Sequence, residues 1–108
     1  MPNKAHTATL NRICHRYGVN PERSQPDPFD VVIDDVIIEV ETSASLPEAI
    51  ERLKSKRRPV YIAVTNKEGL KLATKLVEGT SIGLMDPRGN VILASGDHAF
   101  APVIDRPE

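Results

Sequence analysis

Apolar residues recur along this chain with two different periods, and the switches between them mark its elements. Across residues 7–17, Leu10, Ile13, Cys14 and Tyr17 fall at i, i+3, i+4 and i+7, the apolar stripe of an amphipathic helix. Thr7 suits its cap, and Gly18 the left-handed position after its end. Pro21, Pro26 and Pro28 exclude a continuous helix over 20–28, which reads as a connector. Residues 29–42 form two short Val/Ile-rich strands around an Asp34-Asp35 turn. Ser45-Leu46-Pro47-Glu48 then reads as a capping box opening a helix that runs to about 57 and buries Leu46, Ala49, Ile50 and Leu53. Pro59 ends it. The near-continuous apolar run 60–65 is typical of a central strand covered on both faces. A helix over about 68–77 follows, ended by Gly79. A strand over 81–85, a turn at 86–90 with Pro87 preset for type I geometry, and a return strand over 91–95 come next. Residues 96–108 read as an extended tail packing through Phe100, Val103 and Ile104.

The element order αββαβαββ predicts an α/β fold: a mixed five-stranded sheet flanked by helices, with the first hairpin at one side. At 108 residues the chain is expected to be one domain, with a core over 7–95. Charge is nearly balanced, 14 basic against 15 acidic residues, so any basic surface must be local. No Trp and only two Tyr and two Phe argue against base stacking as a binding mode. The single Cys14 excludes an intramolecular disulfide and a thiolate zinc site, and its place on the apolar stripe makes it a core residue. No run approaches transmembrane length and no signal peptide is visible at the start, so a cytoplasmic protein without a membrane partner is expected.

The candidate chemistry lies in the hairpin, where carboxylates stand inside strands of valine and isoleucine. With Asp34-Asp35 as a two-residue turn, Ile33 pairs with Val36, Val32 with Ile37, Val31 with Ile38, and Asp30 with Glu39. Alternation then places Asp30, Glu39 and Glu41 on one face. Directly opposed like charges are destabilising. The three acids therefore call for a positive partner, and Mg²⁺ or Mn²⁺ suits carboxylate oxygens. Two alternatives stay open. The acids could simply face water at an exposed strand end, or a bulged turn could shift the register and move Asp30 to the other face. Basic residues gather in two places. Arg12 and Arg16 lie with His15 on the polar side of the first helix, and Arg52, Lys54, Lys56, Arg57 and Arg58 toward the end of the second. Either could contact phosphate, or be a solvated helix surface. His6, His15 and His98 show no ligand spacing, and no phosphate-binding loop is present.

An Asp on one strand, a short turn, then Glu-x-Glu on the next, followed by a helix and a buried strand, resembles the PD-(D/E)XK nuclease superfamily. That superfamily contains restriction endonucleases and archaeal Holliday junction resolvases. The similarity spans about residues 7–95. It implies a restriction endonuclease-like core and Mg²⁺- or Mn²⁺-dependent hydrolysis of phosphodiester bonds in DNA. Asp30 and Glu39 would hold metal, with Glu41 and the carbonyl of Val40 completing the site. Lys54, Lys56, Arg57, Arg12 and Arg16 would contact the nucleic acid, and a homodimer is expected for cutting a duplex. Glu41 departs from the pattern, standing where the family most often has Lys; Lys54 or Lys56 could supply the charge instead. The first helix also lacks the Glu that resolvases carry there, for which Glu22 is a conceivable substitute. A catalytically inactive nucleic-acid-binding or assembly protein on the same fold is the alternative. An unrelated α/β ligand-binding domain with plain surface acids is a third.

Overall fold

A computed structural model of the chain describes residues 4–19, 31–56 and 59–96. Its elements follow the expected order: α1 (Lys4–Tyr17), β1 (Val31–Ile33), β2 (Val36–Glu41), α2 (Leu46–Leu53), β3 (Val60–Val64), α3 (Lys67–Leu76), β4 (Gly83–Met85) and β5 (Val91–Leu93). One turn of 3-10 helix, Ser43–Ser45, leads into α2. The connector, Asp30, Arg57 and the tail beyond Gly96 lie outside the described residues.

The five strands lie side by side in chain order. β1 pairs antiparallel with β2, β2 and β3 and then β3 and β4 run parallel, and β5 returns antiparallel to β4. The sheet is therefore mixed, with a hairpin at each edge. Both parallel connections step in the same direction across the sheet. Right-handed crossovers of that kind put their helices on one face, and α2 and α3 do share a face. Their Leu46, Ala49, Ile50, Leu53 and Ala73 pack on Ile37, Ile62, Val64 and Leu84. On the other face, Ile13 and Cys14 of α1 pack against Val31, Ile38, Val40, Ala63 and Met85. Each fully buried Ile or Leu contributes roughly 1.5–3 kcal/mol. β3 sits between these two layers, which accounts for its unbroken apolar run.

The boundaries that differ do so for local reasons. α1 begins at Lys4, so Thr7 is an exposed helical residue and not the cap; Lys and Ala continue a helix at little cost. Ile13 and Cys14 of the expected stripe are buried, joined by Thr9, while Tyr17 is 37% exposed. α2 stops at Leu53, its last buried residue, because the polar run after it offers the sheet nothing apolar to pack. Lys54 and Lys56 thus follow the helix. α3 is capped by Asn66, whose side chain accepts from the Gly69 amide at 2.8 Å.

Two glycines permit close approaches. A β-carbon on Gly83 would lie 2.5 Å from the Tyr61 ring and 2.7 Å from the Leu93 carbonyl oxygen, so β4 leaves room there for the aromatic ring of β3. Gly89, at φ 86°, combines a left-handed turn with contact against Arg16 and Ile13 of α1. Gly83→Ala is expected to destabilise by about 1–3 kcal/mol through overpacking. Urea unfolding would read this as a lower midpoint at unchanged slope.

Candidate functional site

The site grows out of the β1–β2 hairpin. Its turn is the two-residue turn expected, with Ile33 opposite Val36, Val32 opposite Ile37 and Val31 opposite Ile38. Asp34 takes the left-handed backbone at φ 55°, which Asp tolerates better than most residues. A bulged register is thereby excluded for the described pairs. The period of two then divides β2. Val36, Ile38 and Val40 face α1, whereas Ile37 packs among the residues of α2 and α3. Glu39 and Glu41 share the face of Ile37. Val40 sends its side chain to the opposite face, so only its backbone could join a site with the two acids.

Glu39 and Glu41 do not simply face water. Their side chains retain only 7% and 12% exposure, and one cation answers both. Arg52, on α2, places Nη2 at 3.3 Å from Glu39 Oε1 and 3.6 Å from Glu41 Oε2. Ser45 adds a third contact, its Oγ donating to Glu41 Oε1 at 2.6 Å. The Ser45 side chain caps no helix amide, so the expected capping box does not form. The hydroxyl is committed to the carboxylate and to the Thr42 carbonyl instead. Carboxylates this secluded carry a desolvation cost of several kcal/mol unless neutralised. The guanidinium of Arg52 offsets that cost while its own side chain stays 52% exposed.

Arg52 is the residue that sequence reasoning undervalued. The expected substitutes for the family's lysine were Lys54 and Lys56, but Lys54 pairs with Glu51 at 2.9 Å and both lysines follow the helix. The available signal was helical phase. Arg52 precedes the core residue Leu53 on a helix that must cross over β2, and its length allows it to reach back to the strand.

Arg12 and Arg16 lie elsewhere. Both turn toward the β4–β5 connection, Arg12 donating to the Pro87 carbonyl at 3.2 Å and Arg16 to the Arg88 carbonyl at 3.4 Å and to Asn90 Oδ1. Tyr17 donates to the Gly89 carbonyl at 2.6 Å, and the Arg16 guanidinium sits 5.8 Å from the Tyr17 ring centre. The turn is braced from within by Asp86, which accepts from the amides of Arg88 and Asn90 and from the Asn90 side chain. Partial burial alone would raise the Asp86 pKa. The Asn90 and Arg88 hydrogen bonds and the Arg88 charge outweigh it and hold this carboxyl below the usual range.

Among the described residues, no three His, Cys, Asp or Glu side chains gather as metal ligands, and no helix is long and apolar enough to cross a membrane. Glu39 and Glu41 are two hard oxygen donors on one strand face, of the kind that divalent ions take, and Arg52 and Ser45 already contact them. No protein-family model matches the chain, and no curated protein or solved structure matches it.

Two outcomes are expected. Arg52→Met should destabilise by about 1–2 kcal/mol, because Glu39 stays secluded without this guanidinium and the half-exposed Arg moderates the effect. Glu39→Gln in the same chain should restore most of the loss in thermal unfolding. Because the Asp86 pKa is lowered by folding, its contribution is present above the unfolded value of about 3.9 and disappears as pH falls toward the folded one. Asp86→Ala should therefore flatten the acid limb of the stability–pH curve.

Proposed function

We propose that the chain is a metal-dependent endonuclease acting on phosphodiester bonds in DNA, on a restriction endonuclease-like core. The observation that carries this reading is the pair Glu39 and Glu41, secluded on one face of β2 and bridged by the Arg52 guanidinium. Asp30, Glu39 and Glu41, with the carbonyl of Val40, would hold Mg²⁺ or Mn²⁺. Such an ion, when bound, supplies a water of lowered pKa and neutralises charge on the phosphoryl group.

The chain's own residues divide the remaining work. Glu39 and Glu41 provide the oxygen donors. Ser45 orients Glu41 through its short hydrogen bond. Arg52 stands in the role of the missing lysine. Its one nitrogen toward the acids leaves other guanidinium donors on a half-exposed side chain for a phosphate oxygen. Two copies related by a two-fold axis would allow both strands of a duplex to be cut.

A second reading has its own observation. Arg52 and Ser45 already satisfy much of the acid pair from within the chain. That arrangement also suits a protein that binds nucleic acid on the same fold without hydrolysing it.

Plasmid and oligonucleotide cleavage in Mg²⁺ and Mn²⁺ separates the two. Wild type is expected to cleave. Asp30→Ala and Glu39→Gln are expected to lose roughly 10²–10³-fold or more in rate, the cost of removing an electrostatic stabiliser. They should also lose the rise in melting temperature that a divalent ion gives the wild type. Binding without cleavage under either metal would select the second reading.

A further inference from the structure

The β4–β5 turn adds a cation that the sequence pattern left unassigned. Arg12 and Arg16 are neighbours one helical turn apart on α1, and both reach the turn that carries Arg88. Pro87 and Arg88, whose carbonyls receive them, are adjacent residues. The three arginines are exposed, and their attachments are neutral: the recorded acceptors for Arg12 and Arg16 are carbonyl oxygens and the Asn90 side-chain oxygen. Among the described residues none of the three has a carboxylate ion-pair partner. Asp86, the acid of the turn, spends its oxygens on the amides of Arg88 and Asn90 and on the Asn90 side chain.

Arg12 and Arg16 bring two guanidinium groups to a turn that itself carries Arg88, and Asp86 offsets only part of that charge. In a chain whose net charge is −1, this concentration is local. We infer that Arg12, Arg16 and Arg88 form a phosphate clamp that holds the backbone of a nucleic acid. The inference rests on the proposed function for the identity of the polymer.

Position favours that partner. β2, β3 and β4 are parallel, Glu41 is level with Val64, and Met85 is level with Ala63. The turn after Met85 therefore lies at the same end of the sheet as Glu41, two strands away. Two strand spacings are roughly 10 Å, to which the thickness of the sheet adds. The clamp lies on the α1 side and the acids on the α2 side. A backbone crossing this end of the sheet would meet both, the arginines positioning it and the acids lying further along.

Arg88→Gln is the most informative variant, because α1 uses only the Arg88 backbone carbonyl and its side chain can change without releasing the clasp. Arg12→Gln with Arg16→Gln tests the other half, with circular dichroism confirming the fold. Lys71→Gln with Lys75→Gln, on exposed positions of α3, is the charge-matched control for the double variant. Binding of a fluorescein-labelled duplex is followed by anisotropy in EDTA, so that cleavage does not intrude.

Arg88→Gln is expected to weaken binding roughly tenfold and to reduce the slope of log K against log salt by about 0.9, one phosphate contact. The double variant should lose about twice as much slope, and the α3 control should lose neither. Equal affinity and slope in wild type and clamp variants would overturn the clamp, as would equal losses in the control or no binding by wild type. Cleavage measured on the same proteins keeps the two ideas apart. Cleavage with clamp-independent affinity refutes only the clamp, whereas clamp-dependent binding without cleavage refutes only the nuclease.

Discussion

A carboxylate withdrawn from water must be met by a positive charge, and in this protein that requirement ties β2 to α2. Glu39 is only 6% exposed overall, in a strand whose other residues are mostly aliphatic. Arg52 meets it across the crossover, and the same nitrogen reaches Glu41. The packing of α2 by Leu46, Ala49, Ile50 and Leu53 brings Arg52 to the strand. The helix is thus a packing element and the support of the charge that makes the strand's acids tolerable.

The sheet separates this site from the second cluster of charge. Because β2 alternates, Val36, Ile38 and Val40 can bind α1 on one side while its acids and Ile37 look to α2 on the other. Because β2, β3 and β4 are parallel, their C-terminal ends meet at one end of the sheet, as do the loops that follow them. Glu41 and the turn bearing Arg88 are consequently neighbours in level while belonging to opposite faces. An acidic pair and a basic turn kept apart by a sheet do not cancel one another.

Small residues carry much of the specificity of this arrangement. Ser45 looks in isolation like a helix cap, yet its hydroxyl turns back to Glu41 four residues earlier. Gly89 lets α1 lie close enough for Arg12, Arg16 and Tyr17 to hold the turn through its carbonyls. At Ser45 a side chain suited to capping a helix is claimed instead by a charged partner.

The sequence by itself determined the element order and the shared face of Glu39 and Glu41, and it favoured a two-residue hairpin turn whose register the structure then fixed by pairing Val31 with Ile38. Those features follow from periods of 2 and 3.6 and from turn chemistry, which act over a few residues. Only the tertiary structure decided which cation answers the acids, that Ser45 serves Glu41 and not α2, and that Arg12 and Arg16 converge on a turn more than seventy residues away. Arg52, Lys54 and Lys56 are nearly equivalent as sequence. The point at which α2 loses its apolar anchors distinguishes them, because only Arg52 remains on the helix that packs over the strand. Local pattern sets which way a side chain faces, and packing between distant segments sets what it meets there.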